Sequence, residues 1–144
     1  MSDAMAISRS GLDVEWQRLQ VIAQNLANMN TSRTASGAPY RAMRVVSGPD
    51  VSFAASLAKH GVAGQQPAMV KVYGVEATAG GRRRVYDPTD PSAGSDGFVD
   101  LPNIDQAGEM TLMIRASRSY EANLTALAIE RQMFSRALDL GRAS

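Results

Sequence analysis

Two long amphipathic stretches, roughly Ala4–Met29 and Gln106–Leu140, occupy the ends of this 144-residue chain and bracket a middle punctuated by Gly and Pro. Chain ends fray unless something ties them down. A chain whose strongest helical patterns lie there is therefore expected to anchor itself through them. In the first stretch, steps of three and four from Met5 pass through Ser8, Leu12, Glu15, Leu19, Ile22, Leu26 and Met29, a heptad-like stripe on one helical face. Ser2 or Asp3 can cap its start, and Asn28-Met29-Asn30-Thr31 is a plausible stop because Asn tolerates a left-handed terminal residue. Gly11 inside the pattern costs about 1 kcal/mol relative to Ala, so it marks either a close approach by a neighbour or a bend.

The second stretch is stronger. From Met110 the same steps pass through Met113, Ser117, Tyr120, Leu124, Leu127, Arg131, Phe134 and Leu138. A second row, Ala122, Ala126, Ile129, Met133 and Leu140, lies about 200° around the helix at ~100° per residue. A helix apolar on two sides is usually buried between partners. At ~1.5 Å per residue it would be about 50 Å long, against about 40 Å for its counterpart. Paired alone, the two cannot cover both rows, so apolar surface remains for other subunits.

Between them, Tyr40–Val46 and Met69–Ala77 are expected to be strands, enriched in Val, Tyr and Met with partial alternation. Gly80-Gly81 followed by Arg82–Tyr86 suggests a hairpin with a two-residue turn. Asp87-Pro88-Thr89-Asp90-Pro91 and Ser95-Asp96-Gly97 read as turns, and Phe98–Leu101 as a short strand. Asn103 or Asp105 then caps the last helix, Asn103 with Gln106 having capping-box spacing. Residues 54–66 are the expected flexible stretch. The fold class is thus mainly α with a small β-rich middle. Residues 1–31 and 105–144 form a terminal-helix, coiled-coil-like core, and residues 32–104 a hairpin and loop region.

Chemistry is sparse. The net charge of +1 gives no field for nucleic acid or an anionic membrane. The absence of cysteine excludes disulfides, zinc–thiolate sites and thiol catalysis. The opening residues lack the basic region and apolar run of a cleaved secretory signal, and no stretch approaches the ~20 apolar residues of a membrane span. His60, the single histidine, has no converging partners and is expected in a solvated loop. Arg82-Arg83-Arg84 could grip phosphate or an acidic neighbouring subunit, but nearby Asp87 and Asp90 favour a solvated hairpin arm. Asp87, Asp90, Asp96 and Asp100 miss the spacing of a calcium loop and read as turn residues. Gly74, Gly80 and Gly81 make no phosphate loop, Ser117 and Ser119 have no evident base, and Met110, Met113 and Met133 read as packing residues. Catalytic, metal and cofactor sites are all expected to be absent, and the chain is expected not to be an enzyme.

The run Gly11-Leu12, Arg18-Leu19 and Ile22-Ala23-Gln24-Asn25-Leu26-Ala27-Asn28-Met29-Asn30-Thr31 resembles the N-terminal signature of bacterial flagellar rod and hook proteins. Glu109-Met110 and Ala116-Ser117-Arg118-Ser119-Tyr120-Glu121-Ala122-Asn123 resemble the matching C-terminal signature. Pro39-Tyr40-Arg41, Val85-Tyr86-Asp87-Pro88 with Pro91, Gly97-Phe98-Val99 and Leu101-Pro102-Asn103 are similar to the short proximal-rod members of that family. Residues 47–68 follow no family pattern.

The resemblance implies a structural subunit of the basal-body rod, whose terminal helices pair and pack with other copies and with neighbouring rod proteins into a torque-transmitting shaft. It implies contact with inner-membrane ring and rod-adaptor components. It also implies passage through the flagellar type III export apparatus without a cleaved signal peptide, to a periplasmic rod. Neither nucleic acid nor membrane insertion is implied. Within this frame Leu12, Leu19, Ile22, Leu26 and Met29 are expected to pack against Tyr120, Leu124, Leu127, Phe134 and Leu138, with Met113 in the same assembly interface. Asn25, Asn28 and Asn123 are expected to satisfy polar groups and set register. The alternatives are another short axial rod subunit, or a cytosolic helical adaptor that forms soluble oligomers.

Overall fold

A computed structural model describes residues 3–50 and 69–142 of the chain. The expectations placed on Ser2, on the stretch 54–66 and on His60 lie outside those residues. Two long helices, α1 (Asp3–Ala27) and α2 (Gln106–Arg142), carry most of the described structure. Among the described residues between them, four strands form: β1 (Met43–Pro49), β2 (Val70–Ala77), β3 (Arg82–Tyr86) and β4 (Phe98–Pro102). The chain is mainly helical with a small strand region, as its patterning indicates.

The strands form two separate two-stranded sheets, β1 with β2 and β3 with β4. Backbone bonds from Asp50 to Met69 (2.7 Å) and from Thr78 to Ala42 (2.8 Å) close the two ends of the first, which is therefore antiparallel. In the second, Arg84 lies opposite Asp100 and Val85 opposite Val99. The expected two-residue turn at Gly80-Gly81 does not form. Such turns need positive φ, and among the described residues only Gly37 and Gly97 have it. Gly80-Gly81 instead links the two sheets. The β3–β4 hairpin is closed by residues 87–97, where Gly97 at φ +75° lets its carbonyl accept from the Asp87 amide at 3.0 Å.

Aspartates build that loop. Asp87 Oδ1 accepts from the Thr89 amide (3.1 Å) and hydroxyl (2.7 Å), Asp90 Oδ1 from the Ser92 amide (2.6 Å), and Asp96 Oδ1 from the Phe98 amide (3.3 Å). These bonds hold the Asp87 carboxyl below its ordinary range, the Thr89 hydroxyl acting most strongly. The Phe98 amide and then Arg84 do the same for Asp96. The arginine run is a braced arm: Arg82 meets Asp100 at 3.4 Å, while Arg84 pairs with Asp96 and approaches Asp100 at 3.7 Å. These side chains face solvent, which screens the pairs, so they add little to stability.

Helix ends follow local chemistry. Asp105 caps α2 by accepting from the Ala107 amide at 3.1 Å. Asn103 instead donates its amide to Gly81 and closes the hairpin. At the end of α1 no asparagine enters the left-handed region. Asn28 caps by a different route: its Nδ2 donates back to the Gln24 carbonyl at 2.9 Å while its Oδ1 accepts from the Thr31 hydroxyl at 3.1 Å.

The chain divides into two compact units. One comprises residues 1–17, 46–74 and 115–144, the other residues 18–45 and 75–114. In the first, Ser8, Val14 and Ala116 are buried. In the second, Val21, Ile22, Asn25, Val45, Val99 and Pro102 are buried. Burying each Val or Ile stabilises by roughly 1.5–3 kcal/mol.

Candidate assembly interface

Within the first unit the helices run antiparallel. Ser8 Oγ donates to Glu130 Oε1 at 3.2 Å, and the Trp16 and Tyr120 rings lie 6.3 Å apart. Between those two pairs, the Asn123 side chain lies directly over Gly11. A Cβ at Gly11 would come within 2.8 Å of Asn123 Nδ2, so the glycine marks a close approach and not a bend. On the β side of the same unit, the Val70 amide donates to Ser10 Oγ at 3.1 Å.

In the second unit Asn25 is 2 % exposed and uses its full hydrogen-bonding capacity. Its Nδ2 donates to the Met43 carbonyl (2.9 Å) and to Glu109 Oε2 (3.1 Å). Its Oδ1 accepts from the Met43 amide (2.8 Å) and from the Tyr40 hydroxyl (3.0 Å). The carboxamide thus bonds both backbone groups of Met43, as a neighbouring strand would, and ties β1 to α1 and α2 at one point. Burial, and secondarily the Glu109 charge, raises the Tyr40 phenol above its ordinary value and keeps it protonated as a donor. Beside this hub, Arg18, Val21, Ile22, Met43, Val45 and Leu112 line a cavity of about 170 Å³.

The residues expected at the interface are placed as follows. Ile22 and Asn25 are buried, and Leu12, Leu19, Leu26, Met29, Asn28, Met113, Tyr120, Asn123 and Leu127 are half-buried. Leu124, Phe134 and Leu138 are 51–54 % exposed, and α1 does not cover them. Asn123 takes the inward position next to Leu124, and every described residue of α2 from Arg131 to Gly141 is exposed. Ile129, Met133 and Leu140, from the second apolar row, are 51 %, 65 % and 75 % exposed. Their side chains add to an uncovered apolar surface on the last turns of α2.

Several participants escape the sequence patterns. Val14 and Val21 are buried on α1 beside the stripe, in the same row as the expected Asn25. A search for one stripe overlooks the pair, although Val14 and Val21 are seven residues apart. Glu109, Tyr40 and Trp16 contribute through contacts that no local spacing encodes.

Residues 5–33 match the family model for flagella basal body rod proteins, and residues 95–140 match that for the C-terminal part of flagellar basal body rod FlgEFG proteins. Over nearly its whole length the chain is similar to proteins named flagellar basal-body rod protein FlgC. It is 37% identical to that of Salmonella typhimurium over 136 residues, 94% of both chains. It is 36% identical to that of Borreliella burgdorferi, covering 92% of this chain and 91% of the relative. The Bacillus subtilis protein is 34% identical over 145 residues, covering 96% of this chain and 97% of the relative. Paired terminal helices, a short strand region between them and similarity from end to end place the chain in the FlgC family of flagellar basal-body rod proteins.

Proposed function

We propose that the chain is a structural subunit of the flagellar basal-body rod, in its proximal part, and works by cohesion between copies. The observation that carries this is the uncovered apolar end of α2. Phe134 and Leu138 follow Leu127 by seven and eleven residues, so they continue its face beyond the span that α1 covers. Together with Ile129, Met133 and Leu140 they suit burial against a neighbouring subunit. The terminal helices form the core domain of the assembled subunit, packed in coiled-coil fashion, and residues 32–104 reach neighbouring rod proteins.

The chain reaches the periplasmic rod through the flagellar type III export apparatus without a cleaved signal. Once there, it contacts ring and adaptor components as well as its own copies. Leu127→Asp tests the reading, because a carboxylate in the seam costs several kcal/mol if it stays charged. The variant should be missing from purified basal bodies and its strain should not swim; normal incorporation and swimming would remove the seam from the assembly.

A further inference from the structure

The cavity beside Asn25 is a notch with an apolar floor. Val21, Ile22 and Val45, each 4–7 % exposed, make that floor. Half-buried Met43 and Leu112 and exposed Arg44 stand around it. Its volume of about 170 Å³ suits a single ring. An aliphatic cavity of about 150 Å³ is enough to hold a benzene molecule. Left empty, such a hollow forgoes dispersion contacts along its lining.

The same chain carries a knob of that size. Phe134, 53 % exposed, is the one aromatic residue in the exposed run 131–141 of α2. Aromatic side chains seated in pockets are the usual anchors of subunit interfaces. Phe134 cannot reach the notch of its own chain. Leu112, which lines that notch, lies on the same unbroken helix, about 33 Å from Phe134 at ~1.5 Å per residue. Charge does not oppose a meeting between copies. Arg18, Arg44 and Glu109 edge the notch, and Arg131, Arg136 and Asp139 lie near Phe134 along the helix, so each surface carries both signs.

We infer that Phe134 of one copy enters the Val21–Ile22–Val45 notch of a second copy. Resting on the rod reading, this contact names what covers the end of α2. Knob and notch are different surfaces, so the contact is heterologous. Each copy fills one neighbour and is filled by another, and the series runs on as a ring or a helix instead of closing as a two-fold dimer.

Substitutions on the two sides of the contact test it. Phe134→Ala removes an exposed ring, so the urea midpoint of the purified full-length chain should hold. Its incorporation into purified basal bodies should fall about tenfold or more. Leu112→Trp fills the notch from its own wall and should have the same effect on incorporation. Either variant incorporating normally while keeping its midpoint overturns the proposal.

A second arm leaves the ring and the floor untouched, and decides the matter even where Leu112→Trp disturbs folding. The chain lacks cysteine, so Arg44→Cys beside the notch and Ala137→Cys, one turn after Phe134, can be combined in one chain. Basal bodies containing it, treated with a short bis-maleimide, should give a ladder of dimers, trimers and longer products. Either cysteine alone should give nothing beyond a dimer. Linkage confined to a single chain, or formed only with a different protein, overturns the contact. Absence of the unmutated chain from basal bodies would instead sink the rod reading itself.

Discussion

At the scale of single residues, Asn25 concentrates more structure than any other side chain. Its carboxamide gives two donors and two acceptors to Met43, Glu109 and Tyr40. Asn25→Ala leaves these groups without their partner in a nearly closed site and should cost about 2–4 kcal/mol. Hydrogen exchange at the Met43 amide reports it directly, and protection there should drop by a factor of roughly 30 or more. Tyr40 adds a pH dependence. Its proton is held more tightly in the folded chain than in the unfolded one. The stabilisation is therefore complete below the ordinary phenol value and is lost as pH rises through the raised folded value, above about 10. Tyr40→Phe should cost about 1 kcal/mol at neutral pH and flatten that alkaline loss in urea titrations. Asn25 was legible in the sequence as a polar residue that sets register. Its stand-in for a strand was not, because Met43 lies eighteen residues away and no local spacing joins the two.

At the scale of elements, both helices and the strand segments were legible, since each depends on periodicity or local turn chemistry. The pairing of the strands was not. Gly80-Gly81 looks like a hairpin turn, but the chain puts its positive φ at Gly97 and lets three aspartates shape the loop before it. Turn propensity names residues able to bend and leaves open which bend closes a ladder. Gly97→Val tests this directly. A Cβ there would lie 2.8 Å from the Tyr86 ring, on a backbone that a branched residue resists. The substitution should loosen the Tyr86–Phe98 ring contact, now 5.2 Å between centroids, and broaden the β3–β4 amide resonances. The helices should be left intact in circular dichroism.

At the scale of the whole molecule, the mismatch between α1 (25 residues) and α2 (37 residues) was predictable from pattern lengths alone. Which apolar residues would be left uncovered was only partly so. Phe134 and Leu138 share the face that meets α1 and are exposed because α1 does not reach them. Ile129, Met133 and Leu140 are exposed because they point elsewhere, as the second row implied. Replacing Phe134 and Leu138 together by Ser should change the stability of the isolated chain by no more than about 0.5 kcal/mol, since neither is buried in it. Rod incorporation should nevertheless be lost. An unfolded double variant would mean that these residues already belong to the folding core.

The rungs between the helices of the first unit carry a mechanical corollary. Ser8 sits against Glu130, and Gly11 beneath Asn123. Slipping α1 by one turn, about 5.4 Å, would carry either Ala4 or Leu12 toward the Glu130 carboxylate and put a side chain where only the glycine fits. Such a pair yields to axial load in discrete, costly jumps rather than by creep, as toothed stock does. A shaft assembled from such subunits would inherit that stepwise resistance to sliding.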